Sequence, residues 1–141
     1  MTEPLISQLS ARLCRPIGDP AKTRARLHLL DWLACVAGAG TSEAAKVAGK
    51  VTDLAWERST YLGNVREMDD VHRTALLHPG PVVWPVAMSA ADASIDQRLE
   101  AAVRGYETMI AVGAAFDAHH YAHWHPSATA GVFGAAAAMG S

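Results

Sequence analysis

Carboxylate and imidazole groups are concentrated in residues 63–81, which we call the polar segment. Its titratable candidates are Glu67, Asp69, Asp70, His72 and His78. Imidazole titrates near neutral pH and a neighbouring carboxylate can orient it, so this combination suits proton transfer. The alternative is a solvated loop whose aspartates cap backbone donors. The sequence His-Pro-Gly-Pro at residues 78–81 favours catalysis, because two prolines around a glycine restrict the backbone and aim His78.

Chemistry suggests a role for each of these side chains. We expect His78 to act as the base or acid and Asp70 to orient it, with Asp69 as a further catalytic candidate. His72 and Arg73 are candidates for binding the substrate. Arg73 follows the acidic pair closely, and it can either form a local salt bridge or clamp a substrate carboxylate.

Four histidines lie in residues 119–125, which we call the histidine segment: His119, His120, His123 and His125. One interpretation is a metal site completed by a carboxylate of the polar segment. The spacing matches neither a helical metal-binding pair nor a zinc finger, so we predict no metal here. In the competing interpretation His125, held by Pro126 at a helix start, faces the site and binds a substrate carboxylate with the helix N-terminus.

If the two segments meet in space, they form a polar site walled by helices. The chain has 141 residues, enough for one domain with a real core. Half of its residues are hydrophobic but only 6% are aromatic, and alanine is abundant. Strands would need more aromatic and β-branched residues. We therefore predict an all-α fold.

Four helices are expected before the polar segment. The first has Thr2 as N-cap and carries an apolar stripe of Leu5, Leu9 and Leu13. The second starts at Asp19-Pro20 and ends near Gly38 and Gly40. Its expected apolar face consists of Ala25, Leu29, Trp32, Leu33 and Val36. Thr41 or Ser42 caps a third helix, and a fourth runs from about residue 54 to residue 63.

Three further helices are expected after the polar segment. One covers residues 82–93, with Pro85 near its beginning, where a helix has no donor to lose. Ser94 and Gln97 form a capping-box pattern, and the helix that they start should be the longest. The last follows Pro126, and its Gly131 and Gly134 would let another backbone approach closely.

Charge and composition exclude several classes of partner. Twelve basic and 14 acidic residues are spread along the chain, which argues against nucleic acid and anionic membrane surfaces. The N-terminus lacks signal-peptide features and no apolar run reaches membrane-spanning length, so we predict a cytoplasmic protein. Cys14 and Cys35 are predicted to be buried free thiols. The chain has neither a phosphate-binding glycine loop nor a nucleophile elbow.

Four blocks of sequence occur in the order typical of one family. They are RLHLLDWLACVAG at residues 26–38, MDDVH at 68–72 followed by HPG at 78–80, GYE at 105–107, and WHPSATAG at 124–131. Together they resemble the MmgE/PrpD family, which includes 2-methylcitrate dehydratase, cis-aconitate decarboxylase and an iminodisuccinate epimerase. The blocks extend over nearly the whole chain, and their order is far more specific than any one of them.

The resemblance implies a helical N-terminal region, homodimers and chemistry without a cofactor at a carbon next to a carboxylate. The substrate would be a small di- or tricarboxylate, handled by a dehydratase, another lyase or an epimerase. By position, the family's acidic motif corresponds to Asp69 and Asp70, and its site histidines correspond to His78 and His125. Val71 stands where many members have threonine, which disfavours the decarboxylase activity.

Members of that family are several times longer, and their catalytic lysines and second domain lie beyond residue 141. We therefore expect residues 1–141 to form a single helical domain with half of an active site, completed by a homo-oligomer or a complementing chain. The alternative is a truncated, non-catalytic paralogue that dimerises through small-residue faces at Gly131 and Gly134. A metal-binding helical protein is the third possibility.

Overall fold

The computed structural model describes residues 3–141, and within that range the chain is all-α, as predicted. The eight helices of this range are α1 (Leu5–Leu13), α2 (Asp19–Ala39), α3 (Glu43–Val51), α4 (Ala55–Asn64), α5 (Gly80–Ser89), α6 (Ile95–Gly113), α7 (Ala118–His123) and α8 (Pro126–Met139). The sole β-type pairing there is an isolated bridge between His72 and Leu77. The N-cap predicted at Thr2 lies outside the described residues.

The core is centred on α6, which packs against α8 along most of their length. Helix α5 lies against both, and α2 flanks α6 and α4. The largest fully buried side chains are Trp84, Leu77, Leu99, Met109, Val83 and Pro85. They come from α5, α6 and the end of the polar segment, so that segment is anchored directly on the core.

Small residues allow α6 and α8 to approach closely. A Cβ atom added to Gly134 would lie 2.7 Å from Cβ of Met109 and 3.0 Å from the carbonyl oxygen of Gly105. One added to Gly131 would lie 3.2 Å from Val82. Both glycines are therefore used inside the domain, and the expectation that they form a dimerisation face is wrong.

Helix α2 has the predicted ends, and most of its predicted face contacts the core, where Leu29 and Val36 are partly buried. Its buried residues are Ala25, Trp32, Cys35 and Ala39, which recur at helical spacing. Leu33, expected in the core, is 44% exposed because it lies one residue beyond this face. At 21 residues, α2 exceeds the 19 residues of α6, so the prediction that α6 is longest is also wrong.

Helix α5 starts at Gly80, two residues earlier than expected. Pro81 fits its first turn, where no amide hydrogen is needed. As a consequence Pro85 lies in the helix interior rather than near the beginning. Pro85 cannot donate to the carbonyl of Pro81, so one internal hydrogen bond of α5 is missing.

Helix α1 lies on the surface. The predicted leucine stripe does not enter the core: α1 has no buried residue, and Leu5 is 81% exposed. The helix is tied to α6 at its end, where Nε of Arg104 donates to the carbonyl oxygen of Leu13 at 2.7 Å. A looser ion pair joins Arg12 and Glu107 at 3.8 Å.

The two cysteines are free thiols in different surroundings. Cys35 is buried as expected, whereas Cys14 is exposed. Burial, reinforced by the charge of Asp31, raises the pKa of the Cys35 thiol. Among the helices of residues 3–141, none combines the length and apolar character needed to cross a membrane.

Candidate active site

The polar segment connects α4 to α5 in a tight path held by its own backbone. Glu67 and Leu76 have positive φ angles of 52° and 51°, a conformation that residues other than glycine seldom adopt. The amide of His72 donates to the carbonyl oxygen of Leu77 at 2.8 Å. These turns bring both aspartates and His78 close to the starts of α5 and α8.

Asp69 holds His78. The Asp69 side chain is 1% exposed, and its Oδ2 lies 2.9 Å from Nδ1 of His78. Nδ2 of Asn64 donates to both carboxylate oxygens, at 3.0 and 3.3 Å. The amide of His78 donates to Oγ of Ser127 at 2.9 Å. The buried carboxylate is thus satisfied by hydrogen bonds, as burial of a charge requires, and His78 is fixed at its ring and its backbone.

We expected from the sequence that Asp70 orients His78, but it does not contact that ring. Its Oδ2 accepts the phenol of Tyr106 at 2.7 Å and lies 2.7 Å from Nδ1 of His28. Its Oδ1 accepts the amide of Gly80 at 2.9 Å. The neighbouring carboxylates therefore serve different partners. Asp69 faces His78, and Asp70 joins α2, α5 and α6.

Tyr106 is the donor of a buried hydrogen bond. Its burial, and then the negative charge of Asp70, raise the pKa of the phenol well above its ordinary value. The Tyr106 hydroxyl therefore stays protonated and keeps its hydrogen bond to Asp70.

The two predicted segments meet at a cavity of about 520 Å³. His78 and His125 both line it, and Asn64, Ser127 and Glu67 add polar groups to the wall. Such a volume suits a small molecule. Thus one histidine from each predicted segment faces the same space.

The two histidines of this cavity carry their protons on different nitrogens. An ionised carboxylate only accepts hydrogen bonds, so Nδ1 of His78 is the donor to Asp69 and Nε2 is left with a lone pair in the neutral ring. Nδ1 of His125 accepts the amide of Ser127 at 3.2 Å, so the neutral ring of His125 carries its proton on Nε2. His78 thus offers an acceptor to a ligand, and His125 offers a donor.

The start of α8 does not offer its backbone to an anion. Pro126 has no amide hydrogen, and the amide of Ser127 is used by the His125 ring. The amides of Ala128 and Thr129 donate to the carbonyl oxygen of His125 at 3.0 and 3.2 Å. The first turn is therefore capped by His125 itself, and the carboxylate-binding role expected here rests on the His125 side chain alone.

Two predicted substrate-binding residues lie outside the cavity wall. Nδ1 of His72 accepts the amide of Ala75 at 3.2 Å, so this ring stabilises the turn of the polar segment. Arg73 is exposed, and neither residue contributes to the lining. Within residues 3–141 the lining also contains no lysine or arginine.

The rest of the histidine segment forms α7, a helix of six residues. The rings of His119 and His123 lie 4.8 Å apart, and His120 stacks on Phe116 at 3.9 Å. In the part of the chain that the structure describes, no three histidine, cysteine or acidic side chains are arranged to hold a metal ion.

Several residues around the aspartates were not identified from the sequence as site residues: Asn64, Ser127, His28 and Tyr106. Ser127 follows His125-Pro126 directly, which was the available signal for it. His28 and Tyr106 lie 42 and 36 residues from Asp70. Such distant pairs appear only when the helices are packed.

The model of the MmgE/PrpD N-terminal domain matches residues 55–141, well over half of the chain. The chain belongs to the MmgE/PrpD family. The match begins at the first residue of α4. Asp69, His78 and His125 lie within this MmgE/PrpD region, whereas His28 precedes it. No curated protein and no solved structure matches the chain.

Proposed function

We propose that this MmgE/PrpD-type chain transfers a proton at a carbon next to a carboxylate of a small di- or tricarboxylate. The reaction class is dehydration, another lyase reaction or epimerisation, and no cofactor takes part. One observation carries the proposal: buried Asp69 holds His78 at the wall of a cavity that His125 shares. A fixed imidazole beside a carboxylate is suited to general acid–base catalysis.

In the proposed step Nε2 of His78 removes the proton from the substrate carbon. The electron pair left on that carbon moves into the adjacent carboxylate, which becomes an enediolate. Asp69 stabilises the imidazolium that forms and keeps its Nδ1–H in place. Delivery of a proton from water to the opposite face completes an epimerisation, and the His78 proton neutralises the hydroxide that remains. Departure of hydroxide from the neighbouring carbon, with the His78 proton converting it to water, completes a dehydration.

His125 serves as the donor in this proposal. Its Nε2–H can hydrogen-bond a carboxylate oxygen, and this bond strengthens as negative charge develops there. A di- or tricarboxylate also needs cationic partners. The cavity wall in residues 3–141 has none and includes Glu67. We expect a second copy of the chain or a complementing chain to supply the positive charge.

Deuterium exchange tests the proposal. The protein is incubated in deuterated water with citrate, malate and succinate, and NMR follows the protons next to each carboxylate. His78→Ala should reduce exchange by about 10²-fold, the size of a typical general-base contribution. His119→Ala is the matched control, because His119 is exposed on α7 outside the cavity wall, and it should leave the rate unchanged.

Equal rates of deuterium exchange in the wild type and His78→Ala would refute the assignment of His78 as the base. If the folded wild-type protein exchanged none of these protons, the non-catalytic alternative would be favoured. Circular dichroism of each variant separates loss of chemistry from loss of fold.

A further inference from the structure

A second cavity, of about 550 Å³, lies between α2 and α6. Its walls are mainly apolar, with Ala25 from α2, Val103 and Ile110 from α6, and Trp84 from α5 beneath. The volume and the apolar lining are those of a small-molecule site. This cavity shares no lining residue with the one that contains His78 and His125.

The second cavity contains its own histidine–aspartate pair. Nδ1 of His28 lies 2.7 Å from Asp70, and the His28 side chain is 35% exposed. Tyr106, which also lines the cavity, donates to the same carboxylate oxygen. Each of the two neighbouring aspartates therefore fixes a histidine at a different cavity. His28 is thus a fixed polar group in a groove whose walls are mainly apolar.

The charged side chains that line this cavity carry a net positive charge. Arg12, Arg24 and Glu107 belong to it. Glu107 lies 3.8 Å from Arg12, so these two charges offset each other. Arg24 forms no ion pair or side-chain hydrogen bond with the described residues. A single positive charge beside an apolar groove complements a ligand with an apolar body and one anionic group.

We propose that the groove between α2 and α6 is a second binding site, for an amphipathic monocarboxylate. The hydrocarbon body lies against Val103 and Ile110, and the carboxylate pairs with Arg24. The polar contact at the inner end is His28, held by Asp70. This site is independent of the proton transfer proposed above, because it uses none of the residues assigned to that step.

Titration with octanoate, followed by NMR, tests this site. Octanoate should bind saturably, shift the ring protons of His28 and give nuclear Overhauser effects to the methyl groups of Val103 and Ile110. Octan-1-ol has the same apolar chain without the charge, so it should bind at least about fivefold more weakly. Arg24→Gln should weaken octanoate binding by a similar factor.

Arg66→Gln is the matched control for the charge change, because Arg66 is exposed and lies outside both cavities. It should leave octanoate affinity unchanged. Val103→Trp should fill the groove and abolish binding in a protein with an unchanged circular dichroism spectrum. If it fails to fold, the comparison of Arg24→Gln with Arg66→Gln still decides the question.

Four results would overturn the proposal. One is the absence of saturable octanoate binding, and another is equal octanoate affinity of the wild type and Arg24→Gln. A third is nuclear Overhauser effects from octanoate to the exposed face of α8 instead of to the groove. The fourth is sedimentation as a dimer whose dissociation exposes Val103 and Ile110, because the occupant of the groove would then be a second copy of the chain.

Discussion

Asp70 connects three helices through one carboxylate. It accepts the phenol of Tyr106 from α6 and the amide of Gly80 from α5, and it pairs with His28 of α2. Charge-assisted hydrogen bonds of this kind are stronger than neutral ones. The residue that the sequence suggested as the partner of His78 therefore links three helices beside the candidate active site.

Tyr106→Phe should show how much the hydrogen bonds of Asp70 contribute to the stability of the protein. The change removes one hydrogen bond to Asp70 and keeps the ring, so the free energy of unfolding should fall by about 1.5–3 kcal/mol. Urea denaturation measures the change. Tyr121→Phe is the matched control, because Tyr121 is half exposed on α7, and it should stay within about 0.5 kcal/mol of the wild type. Equal effects of the two variants would contradict the role of the Tyr106 hydroxyl.

The same hydroxyl makes the free energy of unfolding depend on pH in the alkaline range. The pKa of Tyr106 is raised in the folded state above its ordinary value of 10.0. The folded protein therefore holds this proton more tightly than the unfolded chain does. The stability from this difference is fully present below about pH 10 and is lost as the pH rises further.

Ultraviolet absorbance of tyrosinate checks this prediction. While the protein is folded, the wild type and Tyr106→Phe should give the same titration amplitude, because Tyr106 does not ionise. One additional tyrosine titrating in the folded wild type would show that its pKa is not raised.

The side chains around Asp69 and Asp70 were predicted only in part from the sequence. It identified Asp69, His78 and His125 as residues of one site. The structure places His78 and His125 at one cavity, and buried Asp69 holds the ring of His78. It assigned Asp70 to His78 because both are close in sequence. The actual pairing depends on the positive φ of Glu67, which redirects the chain just before the two aspartates. No local pattern specifies that turn.

Arg98 fixes the junction between α5 and α6. Its Nη1 donates to the carbonyl oxygen of Met88 at 2.6 Å, and its Nε donates to that of Ala93 at 3.0 Å. The last carbonyls of a helix have no partner within the helix, so Arg98 caps the end of α5. This holds α5, which begins two residues after His78, against α6.

Arg98→Ala should lower the free energy of unfolding by about 1.5–3 kcal/mol, because it leaves partly buried carbonyls without their charged donor. Thermal or urea unfolding measures the loss. Arg66→Ala removes the same charge from an exposed position and should change stability by less than about 0.5 kcal/mol. If Arg98→Ala left the free energy of unfolding unchanged, the junction would not depend on this residue.

Helix starts that carry a local capping or proline signal were predicted accurately. The capping box of Ser94 and Gln97 and the start of α2 at Asp19 depend on neighbours in sequence, so local patterns identify them. The exposure of Leu33 depends on which side of α2 contacts other helices. The interior position of Pro85 follows from the earlier start of α5 at Gly80.

The close contact of α6 with α8 organises the entire domain. Gly105 and Gly134 face each other there, and a Cβ atom on either would lie 3.0 Å from the other's carbonyl oxygen. Backbone atoms cannot move aside as a flexible side chain can. Gly134, which the sequence suggested as a contact with a second chain, is therefore required for packing within this chain.

Gly134→Ala should destabilise the protein by about 1–3 kcal/mol through overpacking. Gly49→Ala is the contrasting control. Its added Cβ would meet nothing within 4 Å in the middle of α3, and alanine is the better helix former, so stability should rise by about 0.5–1 kcal/mol. Differential scanning calorimetry of both variants measures these changes. Destabilisation by both substitutions alike would contradict the close helix contact.

The all-α fold could be predicted because composition and helix periodicity are local properties. The two cavities could not, since each is a space between helices distant in sequence. His28 and Tyr106, for example, become neighbours only when α2 packs on α6. At one of these cavities two histidines meet, with His78 as the acceptor and His125 as the donor.

Long-range ¹⁵N NMR of the histidine rings tests the acceptor role of His78 and the donor role of His125. It is recorded in alkaline solution, well above the pKa of about 6.5 that a free imidazole has. We expect His78 to carry its proton on Nδ1 and His125 on Nε2, and Asp69→Asn to change the tautomer of His78 alone. A wild-type His78 protonated on Nε2 would contradict its assignment as the base that Asp69 holds.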